Sequence, residues 1–187
     1  MLEPDYPLET ERLLLRAFEP GDLGALHAMH SREEVARWLY WRPRSEAEVR
    51  ESLDKKIAAR AIMKEGDPLS LAAVLRASGE LIGDFNLWWN SREHRQGEIG
   101  FIVHPDHQGR GYATEVSRVL LRLGFEGLGL HRIVGTLEAR NLASARVLER
   151  LGMRREAHLV ENEWVKGEWQ SELVYAILDR EWRDATR

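Results

Sequence analysis

The sequence contains no cysteine among its 187 residues. This absence excludes disulfide bonds, catalysis by a thiolate, and zinc or iron–sulfur sites with Cys ligands. There is also no apolar run close to the ~20 residues that a membrane-spanning helix needs. The net charge of −4 arises from acidic and basic residues that are interspersed along the chain, without a block of one sign. We therefore expect no membrane span and no direct nucleic-acid partner.

The first residues lack the basic and apolar regions of a secretory signal, so we expect a cytoplasmic protein. The length, together with the absence of repeats and linkers, predicts a single domain over residues 1–187. Two histidine pairs, His104 with His107 and His27 with His30, have no third ligand residue in view, so we predict no metal site.

The order of apolar patterns indicates an α+β fold with one mixed sheet and helices against its faces. A 3.6-residue period after Gly111 predicts an amphipathic helix from which Glu115 points away. Ser45 and Glu48 form a capping box for another helix, and Asp22 can cap the first one. The predicted strands cover residues 12–18, 69–76, 81–90, 97–105, 131–139, 154–165 and 169–178, and the predicted helices cover 22–29, 45–64, 111 onward, and 141 to a cap at 152.

The stretch HPDHQGRGYATE, residues 104–115, places two glycines between a strand and a helix. Unpaired amides and the positive end of the helix dipole meet at such a junction, and glycine lets an anion approach those amides closely. The alternative is that Gly109 and Gly111 only form a turn. The dinucleotide fingerprint fails because Thr114 stands at its last glycine, and no P-loop motif is present. The loop therefore binds a different anion, if it binds one.

Residues 108–113, QGRGYA, match the motif Q/R-x-x-G-x-G/A of the GNAT superfamily of N-acetyltransferases. The wider sequence resembles the RimJ/RimL branch of that superfamily. The similar segments are LETERLLLRAFEPGDLGAL, ELIGDFNL, GEIGFIVHPDHQGRGYATE, NLASARVLERLGM and GEWQSELVYAILDREW, in that order. The resemblance covers nearly the whole chain. It implies a central mixed, mostly antiparallel, splayed sheet with helices on both faces, and acetyl-CoA as cosubstrate.

The same resemblance implies where the coenzyme would lie. The fourth and fifth strands of the family fold splay apart, so the pantetheine arm would bond to the strand backbone, while the loop amides would hold the pyrophosphate. A backbone N–H near Val103 would stabilise the oxyanion, and Arg146 is an additional candidate for the coenzyme phosphates. The predicted coenzyme-binding residues are Phe101, Ile102, Val103, Gln108, Gly109, Arg110, Gly111, Tyr112, Ala113, Thr114, Asn141, Ser144 and Arg150.

Acetyl transfer to an amine needs a neutral nucleophile, a stabilised oxyanion and a proton for the departing thiolate. Many superfamily members carry Tyr where this chain has Leu148, so the resemblance implies Ser144 as the acid, in the pattern N-x-x-S. Asn141 and Ser144 are also ordinary residues for the first turn of a helix, with Asn141 as N-cap. For the base, the resemblance implies Glu163, with Glu98 as its competitor, although either could be a plain strand or surface carboxylate.

The RimJ/RimL resemblance implies a protein N-terminal α-amine as acceptor. A weak base suits such an amine, because a group with a pKa near ~8 is roughly one-tenth neutral at pH 7. The alternatives are a small amine or aminoglycoside, or a non-catalytic acyl-CoA-binding module on the same fold. The resemblance leaves monomer and homodimer open. Where relatives often have Asp after a Gly-x-Trp turn, this chain has Ser171 and Glu172, which indicates a different acceptor pocket.

Several tryptophans fall on segments that flank the acceptor side in such folds. An aromatic wall beside carboxylates would favour a cationic amine. The same side chains could instead belong to the core or to a dimer interface. The residues concerned are Trp38, Trp41, Trp88, Trp89 and Trp164.

Overall fold

The structure, a computed structural model, describes residues 1–185; the last two residues of the predicted domain, Thr186 and Arg187, lie outside the described part. Its strands are β1 (Leu8–Glu9), β2 (Leu13–Arg16), β3 (Pro68–Leu75), β4 (Leu81–Ser91), β5 (Gln96–Val103), β6 (Arg132–Glu138), β7 (Arg154–Val165) and β8 (Glu168–Leu178). Its helices are α1 (Leu23–His30), α2 (Glu33–Ala36), α3 (Glu46–Ala58), α4 (Tyr112–Arg122), α5 (Leu142–Arg150) and α6 (Asp179–Ala185).

The strands form an eight-stranded sheet in the order β1-β2-β3-β4-β5-β6-β8-β7. Every neighbouring pair is antiparallel except β5 and β6, which run parallel and are joined through α4. Among the described helices, none combines the length and the apolar character that crossing a bilayer requires.

Helices cover both faces of this sheet, as predicted. Successive residues of β3 contribute to two different cores, because side chains alternate across a strand. Leu71 packs in the core that holds apolar residues of α4, α5 and α6, whereas Ala72 packs in the core that holds residues of α1, α2 and α3. We call these the α4–α6 face and the α1–α3 face. Burial on both faces explains why β3 reads as a continuous apolar run.

The central strands β5 and β6 diverge. Their parallel pairing covers only Gln96 to Glu98 on β5, opposite Arg132 to Val134 on β6. From Ile99 onward β5 pairs only with β4. These are the fourth and fifth strands of the family fold, so the expected divergence is present. Their numbers are higher by one here because the short strand β1 precedes the others. The divergence leaves unpaired backbone groups along the second half of β5.

A buried ion cluster fixes α1 and α3 to β4. Asp84 on β4 is 1% exposed, with Lys56 Nζ 2.8 Å from its Oδ1 and His30 Nε2 3.2 Å from its Oδ2. Burial alone would raise the pKa of Asp84, but the charge of Lys56 and the contact with His30 outweigh it and hold that pKa well below its ordinary value. Asp84 therefore stays ionised inside the α1–α3 face, paired with Lys56.

Two predictions about helices need correction. The helix that begins at Ser45 has the predicted capping box but ends at Ala58 instead of near residue 64. Ile62 packs in the core of the α4–α6 face, and its backbone pairs with Leu2, so the chain must leave the helix to reach the other side of the sheet. The Asp22 carboxylate does not cap α1; it binds the Arg16 guanidinium at 2.7 Å.

Candidate active site

The glycine loop leaves β5 and enters α4 through two residues with left-handed backbone. Gly109 has φ of 74° and Gly111, the N-cap of α4, has φ of 84°. A Cβ at Gly109 would meet no heavy atom within 4 Å, so the backbone conformation by itself calls for glycine. The turn interpretation and the anion-binding interpretation are thus compatible at this loop. Gln108 Nε2 donates a 3.0 Å hydrogen bond to the Val103 carbonyl and ties the loop to β5.

An ion pair from the far end of the chain holds the first turn of α4. The Arg12 backbone N–H and its Nε donate to the two carboxylate oxygens of Glu115 at 3.0 and 2.7 Å, and Arg12 Nη1 donates to the Arg110 carbonyl at 2.9 Å. The Arg12 guanidinium also lies over the Tyr112 ring. The sequence predicts that Glu115 points away from the core. The side chain does lie outside the core, but only 15% of it is exposed because Arg12 covers it.

A cleft of about 280 Å³ opens beside this loop, where β5 leaves β6. We call it the main cleft. Every predicted coenzyme-binding residue except Arg110 lines it, and so does Arg146. Arg110 Nη2 instead donates to the Asp106 carbonyl. The Thr114 hydroxyl is buried in the cleft wall and has no hydrogen-bond partner within residues 1–185. The loop, the second half of β5 and α5 therefore face one common space.

The backbone of β5 presents a free N–H to the main cleft. The His104 N–H donates to the Ile82 carbonyl on the β4 side at 2.8 Å. Because backbone groups alternate between the two edges of an antiparallel strand, those of Val103 and Phe101 point away from β4, into the splay. The Val103 N–H, which the resemblance implies as oxyanion donor, therefore points between β5 and β6.

The start of α5 forms the opposite wall. The Asn141 side-chain oxygen accepts a 3.1 Å hydrogen bond from the Ser144 backbone N–H, so Asn141 is the N-cap that the sequence predicts. The Ser144 hydroxyl makes no hydrogen bond within the described residues, although the residue lines the cleft. Leu148, at the position of the frequent family Tyr, is 2% exposed and packs in the core instead.

A smaller pocket of about 100 Å³ adjoins the main cleft, and Trp38 and Leu39 line both. We call it the acidic pocket. Glu163 lies in its wall and accepts a 2.8 Å hydrogen bond from the Tyr40 hydroxyl. Glu138 and Glu172 complete its acidic lining. Burial, followed by the Glu163 hydrogen bond and charge, raises the pKa of Tyr40, so this hydroxyl keeps its proton.

Glu98 lies near this pocket without lining it. Its carboxylate accepts from the Thr136 hydroxyl at 2.8 Å and from Asn90 Nδ2 at 3.3 Å. It is close enough to act electrostatically on Glu172, because burial together with the charges of Glu163 and Glu98 raises the pKa of Glu172. The structure thus brings the two predicted base candidates to one region of the sheet, with Glu172 as a third carboxylate.

The region from Arg12 to Arg154 matches the family model described as the Acetyltransferase (GNAT) domain. The chain belongs to the GNAT acetyltransferase family. It is therefore an acetyl-CoA-dependent N-acetyltransferase, and the main cleft is the part of this GNAT domain whose loop and splay suit the coenzyme.

Relatives of this GNAT domain match over most of their length. An uncharacterized N-acetyltransferase of Bacillus subtilis, YnaD, is 32% identical over 94% of this chain and 98% of its own length. A GNAT-family acetyltransferase structure from Bacillus anthracis has a TM-score of 0.83 at 30% identity, covering 96% of this chain and 99% of that one. The spermidine N-acetyltransferase of Vibrio cholerae, solved with CoA and spermine, has a TM-score of 0.78 at 27% identity, covering 93% and 99%.

The tryptophans divide between pocket, core and surface. Of the five predicted for the acceptor side of this GNAT fold, Trp38 lines the acidic pocket. Trp41 and Trp89 pack against the two cores, and Trp88 contacts Gly100 on the neighbouring strand. Trp164 is 61% exposed, and its ring lies 5.3 Å from that of Trp169. The aromatic wall is therefore Trp38 with Tyr40.

No group of three or more His, Asp or Glu side chains in residues 1–185 is placed to hold a metal ion.

His107 lines the main cleft, with its Nε2 3.1 Å from Glu80. The sequence predicts only an ordinary loop residue at this position. Arg12 and Tyr40 were also missed as site residues, and Glu172 was named only as a sign of a different acceptor pocket, without a role. The signal for Glu172 was a charged residue directly before the apolar run at residues 173–178 of β8.

Proposed function

We infer that this GNAT enzyme transfers the acetyl group of acetyl-CoA to a positively charged primary amine by direct attack. The observation that carries this proposal is the acidic pocket, which adjoins the main cleft across Trp38 and Leu39. Carboxylates attract an ammonium group, and the aromatic rings of Trp38 and Tyr40 add a cation-binding surface. An amine held there would face a thioester that occupies the main cleft.

The roles proposed for the coenzyme-binding residues follow their places around the main cleft. The amides of the loop that contains Gly109 and Gly111 would hold the pyrophosphate, and the free edge of β5 would bond to the pantetheine. The Val103 N–H would stabilise the carbonyl oxygen of the acetyl group as negative charge develops there. Asn141 would add its side-chain amide to the same arm.

Ser144 is the proposed proton donor to the departing thiolate, since its hydroxyl lines the cleft and no protein group within residues 1–185 binds it. Glu163 and Glu98 are the carboxylates that the sequence proposes for removing a proton from the ammonium. Glu163 lines the acidic pocket, whereas Glu98 acts from beside it.

A small amine with more than one positive charge is the first acceptor candidate. Several carboxylates lie close together on this wall, and a singly charged amine would leave most of that negative charge unmatched. The Vibrio cholerae relative, a spermidine N-acetyltransferase solved with CoA and spermine, supports the same choice.

A protein N-terminal α-amine, the acceptor of the RimJ/RimL-like branch, is the second candidate. Strand β7 carries Glu163 and forms the outer edge of the sheet, where unpaired backbone groups could bind an extended peptide. Its pairing with β8 is also interrupted between Leu159 and Glu163. The cytoplasmic location and the homodimer both stay predictions.

The test is release of free CoA from acetyl-CoA by the purified protein in the presence of single acceptors. The panel contains spermidine, an aminoglycoside and peptides with different first residues, each paired with a control in which its amines are already acetylated. Turnover with spermidine above the peptides supports the first candidate, and the reverse order supports the second. If no amine releases CoA while calorimetry shows acetyl-CoA bound, the proposed transfer to these amines is wrong.

A further inference from the structure

Four carboxylates lie on the α1–α3 face of the sheet, one on each of the strands β5, β6, β7 and β8. Glu172 on β8 pairs directly with Glu138 on β6, and Glu163 on β7 pairs with Gln170, two residues before Glu172. Glu98 on β5 pairs with Val134 on β6. Residues directly opposite each other, and residues two apart on one strand, project to the same side of a sheet. The four acidic side chains therefore share one surface.

Three of these carboxylates have hydrogen-bond donors from the protein. Glu98 accepts from Thr136 and Asn90, and Glu163 accepts from Tyr40. Glu138 forms an ion pair with Arg140 at 2.7 Å. For the half-buried carboxylate of Glu172, no hydrogen bond or ion pair is found in the part of the chain that the structure describes. Glu172 is thus the member of this group whose charge is left without a partner.

The charges that act on Glu172 are those of Glu163 and Glu98, both negative, whereas the charge of Glu138 is paired with Arg140. Glu163 and Glu98 act on it electrostatically, Glu138 lies directly across the strand, and the Tyr40 hydroxyl is already bonded to Glu163. No Lys, Arg or His is among the described residues that line the acidic pocket. Burial and the negative charges of Glu163 and Glu98 raise the pKa of Glu172, which makes it a better proton acceptor near neutral pH than an exposed glutamate.

We propose that Glu172 binds the ammonium group of the acceptor and removes its proton, while Glu163 and Glu98 supply negative charge around it. This inference rests on the proposed function. One proton passes from the ammonium to Glu172, and the nitrogen lone pair then forms the C–N bond to the acetyl carbon. The C–S bond breaks, its electron pair leaves on sulfur, and sulfur takes a proton from Ser144. Ser144 regains a proton from the nitrogen, and Glu172 releases its proton to water.

The experiment compares Glu172→Gln, Glu163→Gln and Glu98→Gln, with Glu161→Gln as the matched control. Glu161 is an exposed glutamate on the same strand as Glu163, and its side chain does not line the acidic pocket. With spermidine and the best peptide of the panel as acceptors, Glu172→Gln should lower kcat/KM for the amine at pH 7 by about 100-fold, the usual effect of losing a general base. The KM for acetyl-CoA should stay unchanged.

The pH profile separates a chemical role from a structural one. In the unmodified protein kcat/KM should fall as the pH drops through the raised pKa of Glu172, because the protonated carboxyl cannot accept another proton. Glu172→Gln should lose this acidic limb, whereas Glu163→Gln and Glu98→Gln should keep it at a shifted position. If Glu163→Gln or Glu98→Gln removes the limb and Glu172→Gln retains it, the assignment is overturned.

Folding is a separate readout. Glu172→Gln removes the repulsion that Glu163 and Glu98 exert on Glu172, so the melting temperature at pH 8 should stay equal or rise. An active Glu172→Gln variant with the kinetics of Glu161→Gln would disprove the role of Glu172 and leave the proposed function standing. An unmodified protein that turns over no amine would overturn both.

Discussion

The Tyr40 hydroxyl donates a 2.8 Å hydrogen bond to the Glu163 carboxylate, across 123 positions of sequence. This bond joins the segment that follows α2 to the edge strand β7. The same segment carries Trp38 and Leu39, which separate the main cleft from the acidic pocket. The position of the acceptor wall therefore depends on a contact at the mouth of the pocket.

Replacing Tyr40 by Phe removes this donor and retains the ring. The hydroxyl lies on a residue that is 67% exposed, so we expect a loss near the lower end for such bonds, about 1 kcal/mol or roughly fivefold in KM for the amine. The KM for acetyl-CoA should not change. Tyr6→Phe is the control, because it removes a 2.8 Å tyrosine hydrogen bond to the Arg60 carbonyl, outside both pockets. Equal amine kinetics in the two variants would contradict the prediction.

Ser144→Ala should lower kcat by about 100-fold, since it removes the proposed donor to the thiolate. Acetyl-CoA affinity, measured by calorimetry, should stay nearly unchanged. The helix should also be unaffected, because Asn141 caps the Ser144 backbone N–H, which alanine retains. Ser52→Ala in α3 controls for a serine deletion elsewhere. Undiminished turnover in Ser144→Ala would show that another group protonates the thiolate.

Asn141→Ser separates capping from coenzyme binding. Serine is as good an N-cap as asparagine, so the melting temperature should change little. It lacks the side-chain amide proposed for the pantetheine, and loss of one such bond should raise the KM for acetyl-CoA about fivefold. An unchanged KM would leave Asn141 with the capping role alone.

Arg150→Ala and Arg146→Ala should each weaken acetyl-CoA binding by about tenfold at low salt, as expected for the loss of a charge-assisted contact to phosphate. The difference should shrink at high salt because screening weakens exposed charges. Arg118→Ala on the exposed side of α4 is the matched control. Equal affinities in all three variants, measured by calorimetry, would remove both arginines from the coenzyme site.

Asp84→Asn should destabilise the protein by about 3 kcal/mol, because it leaves the Lys56 charge buried without its partner. Asp54→Asn, at an exposed position of α3, is the control. Because the pKa of Asp84 is lowered in the folded state, its stabilising effect is full above the ordinary Asp pKa of about 4 and is lost as the pH falls below it. Urea unfolding of the unmodified protein between pH 7 and pH 3 should show that loss, and Asp84→Asn should show less of it.

Local patterns predicted most strands and the positions of the main helices. The run at β3, the hairpin to β4 and the period of α4 are each set by residues near one another in sequence, where alternation and turn chemistry decide the backbone. The two short elements β1 and α2 and the terminal α6 were not predicted. The overlong helix after Ser45 failed because Ile62 is needed in the other core, a demand that no local pattern contains.

For the site, the sequence by itself determined the glycine loop, the capping of α5 by Asn141, and the absence of a tyrosine at Leu148. These features depend on backbone conformation and residue type alone. Only the tertiary structure decided which polar side chains meet: Arg12 with Glu115, Tyr40 with Glu163, and Glu172 with no partner among residues 1–185. The reason is physical. Whether a charge is paired depends on which strands lie side by side, and neighbours in this sheet come from segments far apart in the chain.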